Sequence, residues 1–238
     1  MLALEREHWW LVGRGRILVS LVESECRRRS GRVGRLVDVG SGTGALLEGL
    51  RQLADEAVGV ESDPRARELA AARGLAVRSG TAAAIPFDDA SVDLLTAFDV
   101  LEHVPDDCAA AREFRRVLRP GASAVVSVPA YRWLWSGHDV IHGHRHRYTK
   151  GTLARALEVG GLAVRRLGYF NAWLLPLAAA ARLGSRLLRR PPRSDLARVP
   201  ARVNRLLLRI LLSERERVLA GGFPAGLSVF AVADRPAS

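Results

Sequence analysis

Two groups of residues carry the chemistry legible in this chain. The first is a glycine loop, Gly40-Ser41-Gly42-Thr43-Gly44, which follows a short apolar run at 36–39 and opens a helical pattern at 45–53. Glycine permits positive φ and lets backbone N–H groups come close to a ligand. A helix N-terminus there favours negative groups. Glu61 closes the next apolar run, twenty-one residues after Gly40, where a carboxylate can accept hydrogen bonds from ribose hydroxyls. Loop and carboxylate together point to a nucleoside-bearing cofactor without naming it. With Ala45 the loop also satisfies the G-x-G-x-x-[GA] dinucleotide pattern, and a plain structural turn is a third reading.

The second group is histidine. His103 lies just past a fourth apolar run, and His138-Asp139 opens a cluster continued by His142, His144 and His146. Histidine titrates near neutrality, so His103 or His138 could serve as a general base, with Asp139 beside it. A divalent metal would need ligands that converge, with supporting partners. The interleaved Arg145 and Arg147 oppose that, so no metal is expected; an anionic substrate or a solvated loop suits them better. Trp9, Trp10, Trp133 and Trp135 could wall a substrate pocket, with core packing the alternative. Arg14 and Arg16 could close on an anionic group as a lid, or be surface charges.

The elements that must position these groups alternate along the chain. A helical apolar spacing runs over 5–29, with Arg27-Arg28-Arg29 at its C-terminal end and Gly31 to stop it. Strands are expected at 36–39, 57–60, 75–78, 92–98, 124–128, 162–167 and 226–233. Helices are expected at 45–53, 64–72, 106–118 and 152–159, and the stretch 130–148 shows little periodicity. This rhythm implies a mostly parallel sheet covered by helices on both faces. The expected organisation is a single α/β, Rossmann-like domain over 1–238. It comprises an N-terminal helix or lid (1–30), a core (35–170), a basic helical insertion or cap (171–222) and a last strand (226–234).

The 238 residues are 48% hydrophobic, enough for a full-sized core. The formal charge is +11, but Arg182 to Arg217 contributes eleven Arg against Asp195, Glu214 and Glu216. The basic character therefore belongs to one segment. Within it Arg202, Arg205 and Arg209 share one helix face, and Val203, Leu206, Leu207, Ile210 and Leu211 fill the rest. A cap that buries the apolar stripe is one reading; a peripheral membrane contact through 172–212 is the other. Nucleic acid is not expected as a partner, because the segment lacks aromatic residues to stack bases. The two cysteines, Cys26 and Cys108, suggest no disulfide framework. No apolar run approaches the ~20 residues of a membrane-spanning helix, and a cytoplasmic protein is expected.

Several ordered motifs then resemble those of class I S-adenosylmethionine-dependent methyltransferases. They are Val37-Asp38-Val39 with the glycine loop, Gly59-Val60-Glu61, Phe98-Asp99-Val100-Leu101-Glu102-His103-Val104, and Phe114 through Gly121. Further segments, Leu134-Trp135-Ser136 and Gly143-His144 with Arg147-Tyr148-Thr149, are similar to a bacterial subgroup acting on small molecules. The resemblance implies a seven-stranded sheet with its last strand antiparallel and S-adenosylmethionine as cofactor. It assigns Asp38, Gly40, Ser41, Gly42 and Gly44 to the methionine moiety and Glu61 with Ser62 to the ribose. Thr81 and Ala82 would flank the adenine, Thr81 replacing a frequent Asp, and Phe98 would lie near the donor. The implied reaction is methyl transfer to a small-molecule acceptor from natural-product, lipid-linked or sugar-linked metabolism, apolar or anionic, with oxygen slightly favoured. The alternatives are a non-methylating catalyst such as a cyclase on the same scaffold, a nicotinamide-dependent oxidoreductase, and a non-catalytic binding module.

Overall fold

Strand residues here alternate between two apolar faces, and each face needs a cover. The structure is a computed structural model that describes residues 2–29, 31–187 and 199–237. The chain begins with α1 (Leu2–Glu7) and α2 (Trp9–Arg28), then β1 (Val33–Val39), α3 (Leu47–Leu50) and a 3-10 turn, Arg51–Leu53. It continues with β2 (Ala54–Glu61), α4 (Pro64–Ala71), β3 (Ala76–Ser79) and β4 (Val92–Phe98). After the 3-10 turn Leu101–His103 come α5 (Asp107–Val117) and β5 (Leu118–Pro129). A further 3-10 turn, Arg132–Leu134, leads to α6 (Gly137–Ile141), α7 (Lys150–Val159) and β6 (Ala163–Phe170). The remaining elements are α8 (Leu175–Leu187), α9 (Ala201–Leu212), α10 (Arg215–Leu219) and β7 (Ser228–Asp234).

The seven strands form one sheet in the order β3-β2-β1-β4-β5-β7-β6. Strands β1 to β5 pair in parallel, and β7 runs antiparallel between β5 and β6. Strand alternation sorts the core into two layers. Val37, Val39, Val126 and Ala231 pack with Phe114, Val117, Leu153 and Leu157 of α5 and α7. Leu36, Leu94, Val125 and Phe230 pack with Ile17, Leu18, Leu21 and Val22 of α2, and with Leu211 and Val218 of α9 and α10. The expected Rossmann-like, mostly parallel sheet with helices on both faces is therefore what the chain adopts, insertion before the last strand included.

The differences from the sequence expectation are local. The single helix expected over 5–29 is broken at His8, whose extended backbone (ψ 124°) caps α2, its ring accepting from the Trp10 N–H at 3.3 Å. The helix expected over 45–53 shrinks to α3 plus the 3-10 turn. Strand β5 starts at Leu118, immediately after α5, rather than near 124. The stretch 130–148, which shows little periodicity in sequence, contains α6. Part of the basic insertion, 188–198, lies outside the described residues. Trp9 and Trp10 pack against the α2-side core rather than walling a pocket. Cys26 and Cys108 are free thiols. Among the described residues no helix is long and apolar enough to cross a membrane.

Candidate active site

Because β1, β2 and β4 are adjacent and parallel, their C-terminal ends bring Asp38, the glycine loop, Glu61 and Phe98 to one edge of the sheet. A cavity of about 1110 Å³ opens there, lined by Asp38, Gly40, Ser41, Gly42, Thr43, Glu61 and Phe98. Leu4, Leu11, Val12 and Arg16, from α1 and α2, also line it.

The loop is held by its neighbours. The Gly40 and Ser41 N–H groups donate to the Val60 carbonyl at 2.8 and 3.2 Å, and the Gly42 N–H donates to Glu61 Oε2 at 2.9 Å. Glu61 Oε1 accepts from the Asp63 N–H at 2.8 Å, so this one carboxylate braces both loops at the rim. Gly42 has φ +54°, and a side chain added there would meet no atom within 4 Å; it would project into free space at the loop. Gly40 is different: a Cβ would lie 2.5 Å from Val100 Cγ2, so close packing as well as positive φ requires glycine.

Asp38 is buried beneath the loop and accepts from Thr96 Oγ1 at 2.6 Å. Burial pushes its carboxyl up to about 7; the Thr96 hydrogen bond and the Arg14 charge oppose this, and Glu61 reinforces it. Arg14 is a buried bridge, ion-paired with Asp99 Oδ2 at 2.8 Å and bonded to Ser127 Oγ at 3.0 Å. It is therefore neither of the things expected, a mobile lid or a surface charge. Asp99 has φ +55°, a conformation uncommon outside glycine and asparagine-like residues, held by this ion pair and by its N–H bond to the Ser127 carbonyl at 2.9 Å.

Four expected cofactor residues, Gly44, Ser62, Thr81 and Ala82, stand outside the cavity wall among the described residues. Ser62 is exposed beside Glu61, to which its hydroxyl donates at 3.3 Å. Thr81 is exposed, its backbone paired with Ala84. Ala82 is small and apolar and turns into the core instead. Sequence reasoning missed the strap across the rim. Thr43 Oγ1 donates to Glu5 at 2.8–2.9 Å, and Arg73 pairs with Glu5 at 3.0 Å, tying α1 to the glycine loop and to the end of α4. No periodicity signals a contact between residues this far apart in the chain.

A methyltransferase-domain family model matches residues 16–167. The chain belongs to the methyltransferases of that family. One relative, an uncharacterized methyltransferase of Mycobacterium sp. strain JLS, is 43% identical over 109 residues, covering 44% of this chain and 42% of its own. The chain spans about half the length of the curated relatives it matches. Among solved structures, a SAM-dependent methyltransferase from Thermotoga maritima superposes with a TM-score of 0.63 at 20% identity, covering 97% of this chain and 94% of that one. A geranyl diphosphate methyltransferase in complex with S-adenosylmethionine has a TM-score of 0.57 at 17% identity, covering 86% and 79%. The family match makes the core a methyltransferase domain and sets the oxidoreductase reading aside.

Beside the cradle the methyltransferase gathers its histidines. His103 and His144 rings meet edge-on at 4.8 Å, His144 lies 5.9 Å from His138, and His138 lies 4.2 Å from His142. The two expected bases thus share one cluster, with His144 between them. His103 shows an edge to solvent, but burial of its ring and the neighbouring His144 pull its pKa down. Asp139 is not the proton-handling partner of His138. It is fully buried, accepts from Arg147 Nε and Nη2 at 2.7 and 3.0 Å, and bonds His144 Nδ1 at 2.9 Å. These partners hold its carboxyl far below the usual range despite burial, so it positions His144. Glu102, quoted in the sequence only as part of a motif, is also fully buried; burial and Asp99 push its carboxyl up, and among the described residues neither of its oxygens has a hydrogen-bond partner. A second cavity, about 610 Å³, is lined by Arg132, Trp135, His144, Arg145, His146 and Arg147. Trp133 is instead 53% exposed and stacks on Tyr131.

Proposed function

We propose that this methyltransferase moves the methyl group of S-adenosylmethionine to an oxygen of a small, anionic or partly aromatic acceptor. The observation that carries the reading is the 1110 Å³ cavity in which Asp38, Gly42, Glu61 and Phe98 meet. Asp38 and the loop Gly40–Gly44 take the methionine part, Asp38 facing its ammonium. Glu61, with Ser62 at the rim, takes the ribose hydroxyls. Thr81 and Ala82, beyond the cavity wall, are assigned to the outer, adenine end of the donor, and Phe98, on the wall, to the sulfonium end. The 610 Å³ cavity supplies the acceptor side, its arginines suiting an anion and Trp135 an apolar or aromatic body. Such acceptors include natural-product, lipid-linked and sugar-linked metabolites.

Transfer from a sulfonium is an in-line displacement, and the donor is already activated. The protein's task is to align the acceptor and exclude water. A hydroxyl acceptor must also lose a proton, and a positioned base is worth roughly 10²–10⁴-fold there; His138 and His103 are the residues for it. Calorimetry tests the donor: S-adenosylhomocysteine binding at micromolar Kd, ~8 kcal/mol, with NAD inert, is the expected result. Transfer of labelled methyl to candidate hydroxyl acceptors tests the rest; donor breakdown with no methylated product would favour the non-methylating alternative.

A peripheral membrane contact is a second feature of the reading. Trp173 just before α8, Leu177 of α8, and Val203 and Leu206 of α9 are exposed at 58%, 65%, 43% and 58%. The neighbouring Arg202, Arg205 and Arg209 are exposed too. Apolar side chains flanked by arginine suit an anionic bilayer surface, where a cytoplasmic enzyme would meet a lipid-linked acceptor.

A further inference from the structure

The unpartnered Glu102 carboxylate lies against two histidines. The ligand atoms of Glu102, His103 and His144 all fall within 4.8 Å of one another. Glu102 is fully buried, and among the described residues neither of its oxygens has a hydrogen-bond partner. A buried carboxylate left so costs free energy that a cation would recover. Each histidine ring is already held by one hydrogen bond. His144 Nδ1 is bonded to Asp139 at 2.9 Å, and Asp139 is clamped in turn by Arg147 and by the Ser136 N–H at 2.7 Å. One ring nitrogen of His103 is bonded to the backbone of Gly143. A metal-binding histidine is typically fixed through its other nitrogen in this way, most often by a carboxylate or a carbonyl. Arg147, which in the sequence opposed a cation, is turned onto Asp139 and the Ala130 carbonyl.

We propose that Glu102, His103 and His144 form a binding site for one divalent transition-metal ion such as Zn²⁺. Two imidazoles and one carboxylate leave coordination positions open, as in catalytic zinc sites, and imidazole nitrogen disfavours Mg²⁺ and Ca²⁺. His144 also lines the 610 Å³ cavity, so an oxygen of a molecule in that cavity would take an open position. The acceptor role of that oxygen rests on the methyl-transfer reading; the existence of the site does not. In that role the bound hydroxyl loses its proton to His138 and then to solvent. The oxygen lone pair forms the new C–O bond while the C–S bond breaks and leaves its electron pair on sulfur, giving the methyl ether and S-adenosylhomocysteine. A rival set, Asp106, Asp107 and Cys108, is also close together. Its carboxylates are engaged, however: Asp106 accepts from the Ala109 N–H at 2.8 Å and Asp107 from Tyr148 at 3.0 Å.

The test uses the full chain, stripped with chelator and titrated with Zn²⁺ against a chromophoric competitor and with Co²⁺ by visible absorption. S-adenosylhomocysteine binding is measured in parallel as a check on folding. One equivalent of metal per chain is expected, with Co²⁺ ligand-field bands. His144→Ala, His103→Ala and Glu102→Gln should each weaken binding at least ~10-fold, Asp139→Asn about 10–100-fold, and Cys108→Ala should change nothing. Substoichiometric binding by the wild type, unchanged affinity in the folded His103 and His144 variants, or loss of binding in Cys108→Ala overturns the site. Metal binding without S-adenosylhomocysteine binding would keep the site and overturn the donor reading; the reverse result would do the opposite.

Discussion

Asp38 should make donor-product binding depend on pH. In the free protein burial holds its carboxyl at about 7, up from 3.8, with Thr96, Arg14 and Glu61 the groups that face it. A rise of about three units means that ionising Asp38 inside the fold costs ~4 kcal/mol more than in water. An ammonium beside it favours the charged form and lowers that pKa. If the bound value falls below ~5, apparent affinity is reduced ~11-fold at pH 6 and only ~1.1-fold at pH 8, a spread of ~10-fold. Calorimetry of S-adenosylhomocysteine at pH 6, 7 and 8, in two buffers of different ionisation enthalpy, reads both the affinity and the proton released. Asp38→Asn should bind more weakly than wild type at pH 8 and lose the slope. Wild-type affinity constant within two-fold across this range, or a slope that survives in Asp38→Asn, would refute the placement of an ammonium at Asp38. The same shift has a stability consequence. A carboxyl whose folded pKa exceeds its unfolded value favours the fold when protonated, so its contribution is full below about 4 and is lost as pH rises to about 7. The urea midpoint of the ligand-free chain should carry that component, and Asp38→Asn should remove it.

Other perturbations follow from the same contacts. Glu61→Ala removes the acceptor of the Gly42 and Asp63 N–H groups and should cost ~1.5–3 kcal/mol of S-adenosylhomocysteine binding by calorimetry. Gly42→Val places a branched side chain in open space at φ +54°; binding should vanish, while thermal unfolding reports a strain of ~1–3 kcal/mol. Buried Glu214 accepts from the Ala172 and Trp173 N–H groups at 2.8 and 2.9 Å, so Glu214→Ala should lower stability by ~1–3 kcal/mol in urea titration and loosen α8 in hydrogen exchange. Anionic vesicles should co-sediment with the protein at low salt and release it at high salt; no binding at low salt would leave α9 as a cap over α2.

The sheet was legible because burial on both faces writes near-continuous apolar runs, and Leu36, Val37 and Leu94, Leu95 are such residues. Strand edges were less so. Val33 and Ala54 extend β1 and β2 beyond the apolar centre through residues such as Arg35 and Glu56, whose side chains pair across the strands at 2.6 Å. Hydropathy does not record a polar residue that is a strand member by backbone pairing. The insertion was read from the α9 stripe, and its cause is visible at Gly13, where a Cβ would lie 2.7 Å from Leu211 Cδ2. Glycine there lets α9 approach α2 closely, which a reading of α2 alone as an amphipathic helix cannot show.

The histidine cluster shows why adjacency in sequence misassigned a role. His138-Asp139 reads as a base with its carboxylate, but both lie on α6, and neighbouring residues on a helix face apart. The pairs that meet obey helix and turn geometry instead. His138 finds His142 four residues on, with rings 4.2 Å apart. Asp139 reaches His144 across the turn in which Gly143 takes φ +68°, and it reaches Arg147 beyond that. The carboxylate is thereby withdrawn from proton transfer and committed to orienting His144 toward His103 and Glu102, which descend from the end of β4. Two segments distant in sequence, 98–104 and 138–148, thus act as one unit, locked by Arg145 and His146 N–H bonds to the Glu102 carbonyl at 2.7 and 3.4 Å. A substitution that breaks this lock, such as Arg145→Pro, should therefore separate the histidines while leaving the cradle around Asp38 and Glu61 able to bind S-adenosylhomocysteine. Calorimetry of that variant showing lost donor-product affinity would mean that the two halves of the site are one cooperative structure.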